Sequence, residues 1–528
     1  MNIKLRPRQE IAIEKARQAI RDGKRNIMLI GPPGVGKASM IAAMSASAVS
    51  KGGMAVGWVH KRDLVFEITD RVKNQFGVEA GIILSGQPVQ KDKKVQVISV
   101  LSGIRRDLSW MKPTFLFSDE AHRRLTDSQD TIHEKFPGVP LVSFTATAFR
   151  TSKKRNFSEV YDEFIQISTY RQEMEDRFLV PTRVIAPKGM ASMEGVKLKR
   201  SFGEMDYDTE EMADRFAQER IYAAILSEWT KYTGRKFSTM IFNVNQRHNR
   251  EVCDFFKAHG IRAEYVDDKT PDDVRDNILK KFKAGPFVDD PIMVLCNIGI
   301  FTEGVSCEHT KCIILNYKTK SKSKYVQSAA RGSRPVWNSD YSDWLKVDGK
   351  YYKEHITIID CGANWATHGF LEDYDQYGME MDGEHEAGEA PVKNCPECDT
   401  VVYASLMMCT CCGYVFPLKD KKDGKPIGDE VEWGEVNGDQ PIVKIVTKLK
   451  ARQAERVPTE QLRIVALIKG YDKRWIFKRV EERGEWKQEG VFEWGNRPGT
   501  FEHYLEQVER EKGTYSIYER LKSKRISI

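Results

Sequence analysis

Gly31-Pro-Pro-Gly-Val-Gly-Lys37 and Asp119-Glu-Ala-His122 lie about eighty residues apart, and each follows an apolar run. Asn26-Ile-Met-Leu-Ile30 leads into the first and Thr114-Phe-Leu-Phe-Ser118 into the second. Apolar runs this short, bounded by turn residues, read as buried strands. The small-residue stretch Met40 to Val49 suits a helix, which gives the first string the strand, glycine loop, helix context of a phosphate cradle. Gly31, Gly34 and Gly36 let the backbone approach an anion without a Cβ in the way, and Lys37 reaches the terminal phosphates.

Asp119 and Glu120 emerge where a parallel strand ends, the place at which such sheets bind ligands. Asp119 is suited to orienting Mg²⁺ and Glu120 to positioning the attacking water, since phosphoryl transfer depends mainly on placement and charge compensation. The pair implies hydrolysis of a nucleoside triphosphate. One position departs from the pattern: the residue after the lysine is normally Ser or Thr, a Mg²⁺ ligand, and here it is Ala38, followed by Ser39. Neighbouring helix residues point about 100° apart, so Ser39 is a poor substitute. Weakened Mg²⁺ or nucleotide affinity is expected, with water filling the vacated ligand position.

The chain has 528 residues, enough for about three domains. Apolar content of 41% with 30% charged residues fits a soluble protein, and no run approaches the roughly 20 apolar residues of a membrane span. No apolar signal core follows Met1, so a cytoplasmic location is expected (host cytoplasm for a phage-encoded chain), with no membrane partner. The net charge of +7 is unevenly placed: Glu372 to Glu389 is acidic, and the stretch after Pro441 is basic. Such asymmetry favours a polyanion partner for the tail. Five of the ten cysteines (Cys253, Cys296, Cys307, Cys312, Cys361) lie in or beside apolar runs and read as core. Cys395, Cys398, Cys409 and Cys412 form two C-x₂-C knuckles spaced for a closed, structural tetrahedral Zn²⁺ site. Cys411 is the odd member, because pairing Cys409 with Cys412 keeps the two-residue gap.

Strands are expected at Met54–Val59, Val95–Val100, Thr114–Ser118 and Leu141–Phe144, alternating with helices in a covered parallel sheet. After Phe178-Leu-Val-Pro181 a polar region runs to about Asp208. A second alternation follows, at Thr239–Val244, Ala263–Val266, Ile292–Cys296, Cys312–Leu315 and Ile356–Ile359. It contains no second glycine-lysine loop, so this lobe is expected to complete the first site from across a cleft. Tyr325-Val-Gln-Ser-Ala-Ala-Arg-Gly-Ser-Arg-Pro335 places Gln327, Arg331 and Arg334 on about two helical turns. The guanidinium groups of Arg331 and Arg334 suit transition-state charge on a polyphosphate.

This ordered set resembles the superfamily 2 helicases of DEAH type, notably the group encoded by phages and prophages, over roughly residues 1 to 370. Leu5-Arg-Pro-Arg-Gln9 looks like the adenine-reading entry segment, with Gln9 as reader. Gly31 to Lys37 is similar to motif I, Val59-His-Lys-Arg-Asp63 to Ia, Asp119 to His122 to II and Thr145-Ala-Thr147 to III. Ile241-Phe-Asn-Val244 resembles motif IV, Phe301-Thr-Glu-Gly304 motif V and Gln327 to Arg334 motif VI. Ser306 stands where such proteins often carry Asp, and Ser99-Val-Leu-Ser102 lacks the usual Gln-Thr of Ib.

The resemblance implies an α/β fold of two tandem RecA-like parallel-sheet lobes, followed by a small zinc ribbon and a mainly α, basic C-terminal region. The expected divisions are 1–175 and 176–370 for the lobes, 371–393 for an acidic linker, 394–418 for the ribbon and 441–528 for the accessory region. It further implies ATP and Mg²⁺ as cofactors, Gly304 beside the nucleotide, and nucleic acid across the tops of both lobes. Candidate contacts there are His60, Lys61, Arg62, Ser102, Arg105, Arg106, Asn245 and Thr302. The ribbon suits gripping DNA, contacting protein or stapling a small fold. In the tail, Tyr471, Trp475 and Phe477 interleave with basic residues, which suits core packing and, alternatively, base stacking.

The expected function is an ATP-dependent DNA helicase or translocase of phage replication, recombination or repair, working on single-stranded, forked or branched DNA as a monomer, with replication proteins as possible partners. Two rival readings are an RNA helicase or duplex translocase without unwinding, and a nucleic-acid or replisome-binding adaptor whose ATPase has weakened through Ala38.

Overall fold

The computed structural model describes residues 5–121, 127–146, 157–187, 193–201, 204–267, 269–299, 307–373, 392–404, 406, 408–409, 411–414, 416 and 505. His122, Thr147, Thr302, Gly304, Ser306 and the basic tail with Tyr471, Trp475 and Phe477 lie outside them. The chain divides into two compact units, Met1–Gly388 and Glu389–Ile528.

The described residues of the first unit hold two large parallel sheets and two short hairpins. Strands β1 (Asn26–Ile30), β2 (Ala55–Val59), β3 (Ala80–Ile83), β4 (Val95–Ser99), β5 (Phe115–Ser118), β6 (Leu141–Thr145) and β7 (Glu163–Gln166) make the first, in the order β3-β4-β2-β5-β6-β1-β7. Every pairing is parallel. Its inner strands β2, β4, β5 and β6 are buried along their whole length. Helices cover both faces, so these strands are continuous apolar runs with no alternation. Helices α1 (Pro7–Arg21), α2 (Lys37–Ser50) and α3 (Arg62–Phe76) seal one face through Ile13, Ile41 and Val65. On the other face Trp58, Ile98, Leu116 and Ile132 form a second core. Gly57 in β2 is bare because a Cβ there would collide with the ring of Phe117 on β5.

The second sheet begins with β8 (Thr182–Ile185). An antiparallel hairpin β9–β10 (Leu198–Ser201, Glu204–Tyr207) precedes β11 (Ser238–Phe242), β12 (Ala263–Val266), β13 (Val294–Asn297) and β14 (Thr310–Leu315). A separate short hairpin β15–β16 (Lys346–Val347, Lys350–Tyr351) follows, and β17 (Ile356–Asp360) completes the sheet. The order is β12-β13-β11-β14-β17-β8, again parallel throughout. The polar stretch ahead of Asp208 is thus partly a β-hairpin. Asp206 on it accepts from Thr319 Oγ1 at 2.6 Å and from Lys320 N at 2.9 Å, which ties it to the loop after β14.

A buried polar cluster lies at the C-terminal ends of β11 and β14. Asn243 Nδ2 donates to Asn249 Oδ1 and Asn316 Nδ2 to Asn243 Oδ1, both at 2.9 Å. His248 stacks on Tyr222 with ring centroids 5.9 Å apart. Burial pushes the His248 pKa down to about 3, and Arg247 adds to the shift. The native state therefore refuses a proton that the unfolded chain accepts below pH 6.5, the ordinary histidine value. Stability from this group is fully present above pH 6.5 and falls by about 1.4 kcal/mol per pH unit on acidification. Urea unfolding at pH 6.5 and pH 5 is expected to differ by about 2 kcal/mol more in the native chain than in His248→Gln.

In the second unit β18 (Val392–Asn394) pairs antiparallel with β19 (Val401–Tyr403). One tight turn, held by Asp399 N to Cys395 O at 2.8 Å, lies between the two strands, and a second, held by Gly413 N to Cys409 O at 3.0 Å, follows them. Among the described residues Cys395, Val402, Cys409 and Phe416 form a buried apolar cluster here.

Candidate functional site

The glycine loop leaves the C-terminal end of β1, and Asp119 leaves the same end of β5. Gly34 has φ +94° and Gly36 φ +87°, conformations that an L side chain rarely adopts. A Cβ on Gly34 would meet Leu179 Cδ2 at 2.8 Å and one on Gly36 would collide with Gln9 Nε2. Gly36 is the N-cap of α2, so free N–H groups of the first turn face the loop's concavity. Glu120 has φ 55°, the left-handed region, which is costly for a glutamate and typical of side chains aimed by function.

Lys37, Ala38, Gly34, Gly36, Asp119 and Glu120 line one cleft with Gln327, Ala330, Arg331 and Arg334 of the second lobe. The expected two-turn helix is shorter than its sequence pattern: the α-helix spans Lys322–Ala329 and tightens to a 3₁₀ turn over Ala330–Gly332. Gln327 and Arg331 are four residues apart, the spacing of neighbours on one helix face, and both line the cleft in spite of the change. Arg334 lies against the glycine loop, its Cγ and Nε 3.6 Å from where a Gly34 Cβ would be. Burial lowers the Arg334 pKa, Arg71 pushes the same way, and Glu67 opposes them. Arg6 is likewise lowered, chiefly by burial, with Arg334 contributing. Three guanidinium groups thus crowd a loop already carrying Lys37, an arrangement that a polyphosphate relieves. Gln327 is 5% exposed and its Nε2 has no hydrogen-bond partner among the described residues, which fits a donor held for a ligand oxygen. The cradle, the cations and the strand-end carboxylates fit a Mg²⁺-nucleoside triphosphate. Lys37, Arg331 and Arg334 could hold the phosphates and Asp119 the metal.

Several candidates have other work. Gln9 accepts from Arg6 N at 2.9 Å and donates to Val35 O at 2.7 Å, so its amide fixes the glycine loop to the start of α1. Gly31 pairs with β6 through Gly31 N to Thr145 O, 3.2 Å. Ser39 Oγ accepts from Arg71 Nη1 at 3.2 Å and from Gln75 Nε2 at 3.4 Å, and Ser39 is not among the cleft-lining residues. Arg62 reaches across to Asp272 of the second lobe at 3.3 Å. His60 contacts Gln129, which also accepts from Trp58 Nε1. Ser102 is buried, Arg105 is exposed, and Arg106 donates to Leu84 O at 3.3 Å. Asn245 caps the helix Gln246–Ala258 by accepting from His248 N at 3.0 Å, while its amide donates to Glu210. Lys61 is half-buried just before α3.

Sequence reading missed Glu67, which lines the cleft from α3, and Arg71 one turn on. The signal was present as an i, i+4 acid-base pair on the helix after motif Ia, but such pairs are common on solvated faces. It missed Arg6 and Glu173 as well. Arg6 sits 4.0 Å over the Phe178 ring and pairs with Glu173 at 2.8 Å, a contact 167 residues apart in the chain.

The sulfur atoms of Cys395, Cys398, Cys409 and Cys412 all lie within 4.8 Å of one another. Cys395 and Cys412 sulfurs are 3.5 Å apart, Cys398 and Cys409 sulfurs 3.6 Å. A tetrahedral zinc with Zn–S near 2.3 Å sets sulfur separations of about 3.8 Å, so the four fit that metal. Cys411 stands outside the four, and its N–H donates to Cys409 Sγ at 3.4 Å.

Among the described residues no helix is long and apolar enough to cross a membrane. Residues 2–150 match the family model for the type III restriction enzyme res subunit, and residues 221–335 the helicase conserved C-terminal domain. A 51.5 kDa protein of a Lactococcus phage is 27% identical over 412 residues, covering 77% of this chain and 81% of the relative. A Saccharomyces cerevisiae protein named as a candidate ATP-dependent helicase, IRC3, is 28% identical over 356 residues, covering 64% of this chain and 50% of the relative. The chain therefore spans half the length of that yeast relative. Among solved structures, a fragment of a candidate HsdR subunit of a type I restriction enzyme from Vibrio vulnificus shares the fold. Its TM-score is 0.52 at 22% identity, over 70% of this chain and 66% of the other. With the two models matched in order along lobes that line one cleft, the chain carries its domains in the arrangement of the superfamily 2 helicases, and its relatives include a phage-encoded protein.

Proposed function

We propose that the chain is an ATP-driven DNA helicase or translocase of phage type, serving replication, recombination or repair. The observation that carries this is the single cleft to which one lobe contributes Lys37, Asp119 and Glu120 and the other Gln327, Arg331 and Arg334. Lys37 holds terminal phosphates, Asp119 holds the metal, and Glu120 accepts a proton from the attacking water. Arg331 and Arg334 stabilise charge on the transferring group, so that turnover needs the lobes closed and product release lets them part. The nucleic acid lies across the lobe tops, with backbone contacts drawn from His60, Lys61, Arg62, Ser102, Arg105, Arg106 and Asn245, and with Thr302, which is outside the described residues, as a further candidate; such contacts position without reading sequence. Support for DNA comes from the restriction-enzyme family description matched by the first lobe.

ATP hydrolysis measured with single-stranded DNA, forked DNA and RNA at matched salt tests this. Stimulation by DNA well above RNA is expected, falling steeply with salt as phosphate contacts are lost. Equal or greater stimulation by RNA replaces the substrate, and no stimulation by either supports the adaptor reading that Ala38 suggests.

The four-cysteine knuckle is proposed as a structural zinc site, since four thiolates leave no open coordination position. Metal analysis is expected to give one zinc per chain. Chelation is expected to unfold the Glu389–Ile528 unit, seen as new protease cleavage around Cys395–Cys412, while nucleotide binding by the first unit persists.

A further inference from the structure

We infer that Glu67 supplies the metal-side oxygen that Ala38 cannot, completing the Mg²⁺ shell from α3 instead of from the residue after the lysine. This rests on the ATPase reading and deepens it. Ala38 presents only a methyl group to the cleft. The neighbouring hydroxyl is committed elsewhere, because Ser39 Oγ is held by Arg71 and Gln75. Glu67 lines the same cleft as Lys37, Ala38 and Asp119, and it comes from the helix packed against α2, whose first turn carries Lys37 and Ala38.

The bland reading is an ordinary i, i+4 ion pair, and the geometry argues against it. Both Arg71 bonds fall on one oxygen: Nε at 3.1 Å and Nη2 at 2.9 Å go to Glu67 Oε1. Glu67 Oε2 has no hydrogen bond among the described residues. A fork meeting a carboxylate normally engages both oxygens. Arg71 therefore fixes the carboxylate's direction while leaving one oxygen to the cleft, as outer groups orient metal ligands. The buried Gln327 Nε2, without a partner among the described residues, separately marks this cleft as built for an anionic ligand. Mg²⁺ accepts carboxylate oxygens alongside phosphate oxygens and water, so the exchange of a hydroxyl for a carboxylate keeps a hard-oxygen shell.

The charge of Glu67 makes the inference separable from a structural role. Without metal the carboxylate repels phosphate; with metal it holds the complex. Affinity for the non-hydrolysable ATP analogue AMP-PNP, measured by calorimetry with Mg²⁺ and again with EDTA, is expected to respond differently in the two buffers in Glu67→Gln. It weakens about tenfold with Mg²⁺ and is unchanged or tighter in EDTA. Adding Ala38→Thr to that variant restores most of the Mg²⁺ dependence. Loss of affinity by the same factor in both buffers, no change in either, or failure of Ala38→Thr to restore it overturns the inference. If the unsubstituted chain binds no AMP-PNP in either buffer, the ATPase reading falls and this inference with it.

Discussion

Arg331→Ala is expected to lower nucleic-acid-stimulated ATP turnover on the order of 10³-fold while nucleotide affinity changes only a few-fold. An arginine directed at the transferring phosphoryl group acts mainly on charge that develops in the transition state, and such groups are worth about 10³–10⁵ in turnover. Arg331 follows a helix whose Gln327 faces the same cleft, and the 3₁₀ turn at Ala330–Gly332 sets its direction. Substitution leaves Lys37 and the glycine loop intact on the other lobe, so ground-state binding survives. Steady-state hydrolysis alongside AMP-PNP titration checks the split. A loss of affinity matching the loss of turnover would assign Arg331 to uniform binding.

Glu120→Gln is the second large effect, expected at about 10²–10⁴-fold in turnover. The amide is nearly isosteric with the carboxylate and suits the left-handed backbone no worse, so the fold stays as it is. What the proposed mechanism loses is the acceptor for the water's proton. The variant is expected to bind Mg²⁺-nucleotide and nucleic acid tightly and to accumulate the nucleotide-bound state, read as slowed nucleic-acid release in gel shifts. Because Glu120 and Arg331 lie on different lobes, both variants failing at the same step would show that hydrolysis waits for closure.

Much of the fold was legible from apolar runs. The inner strands β1, β2, β4, β5, β6, β11, β13, β14 and β17 are buried on both faces and leave unbroken hydrophobic strings. The strands that escaped notice, β3, β7 and β8, are edges of four residues each. Ala80-Gly-Ile-Ile83 carries a glycine and Glu163-Phe-Ile-Gln166 is polar at both ends, so neither gives a periodic signal. The hairpin β9–β10 was hidden by its charged residues, since its footing is polar: Asp206 on Thr319 and Lys320.

The cleft was legible where chemistry dictates residue type at fixed spacing, as at Lys37, Asp119 and Glu120. It was opaque where the role depends on tertiary contact. Arg6 over Phe178 and Glu67 beside Ala38 join segments whose sequence spacing carries no rule. Gln9 shows the converse: its position suggested base reading, yet its amide bonds to Arg6 and Val35 at the glycine loop.

The central claim is that one nucleotide is hydrolysed between lobes that each bring part of the machinery. Affinity for the transition-state mimic ADP-aluminium fluoride, relative to ADP alone, tests it most directly in the native chain and in Arg334→Ala. A native preference for the mimic that collapses by about 100-fold in the variant, with ADP affinity nearly unchanged, is the result this structure predicts. An equal preference in both proteins would contradict it, leaving the second lobe outside the reaction.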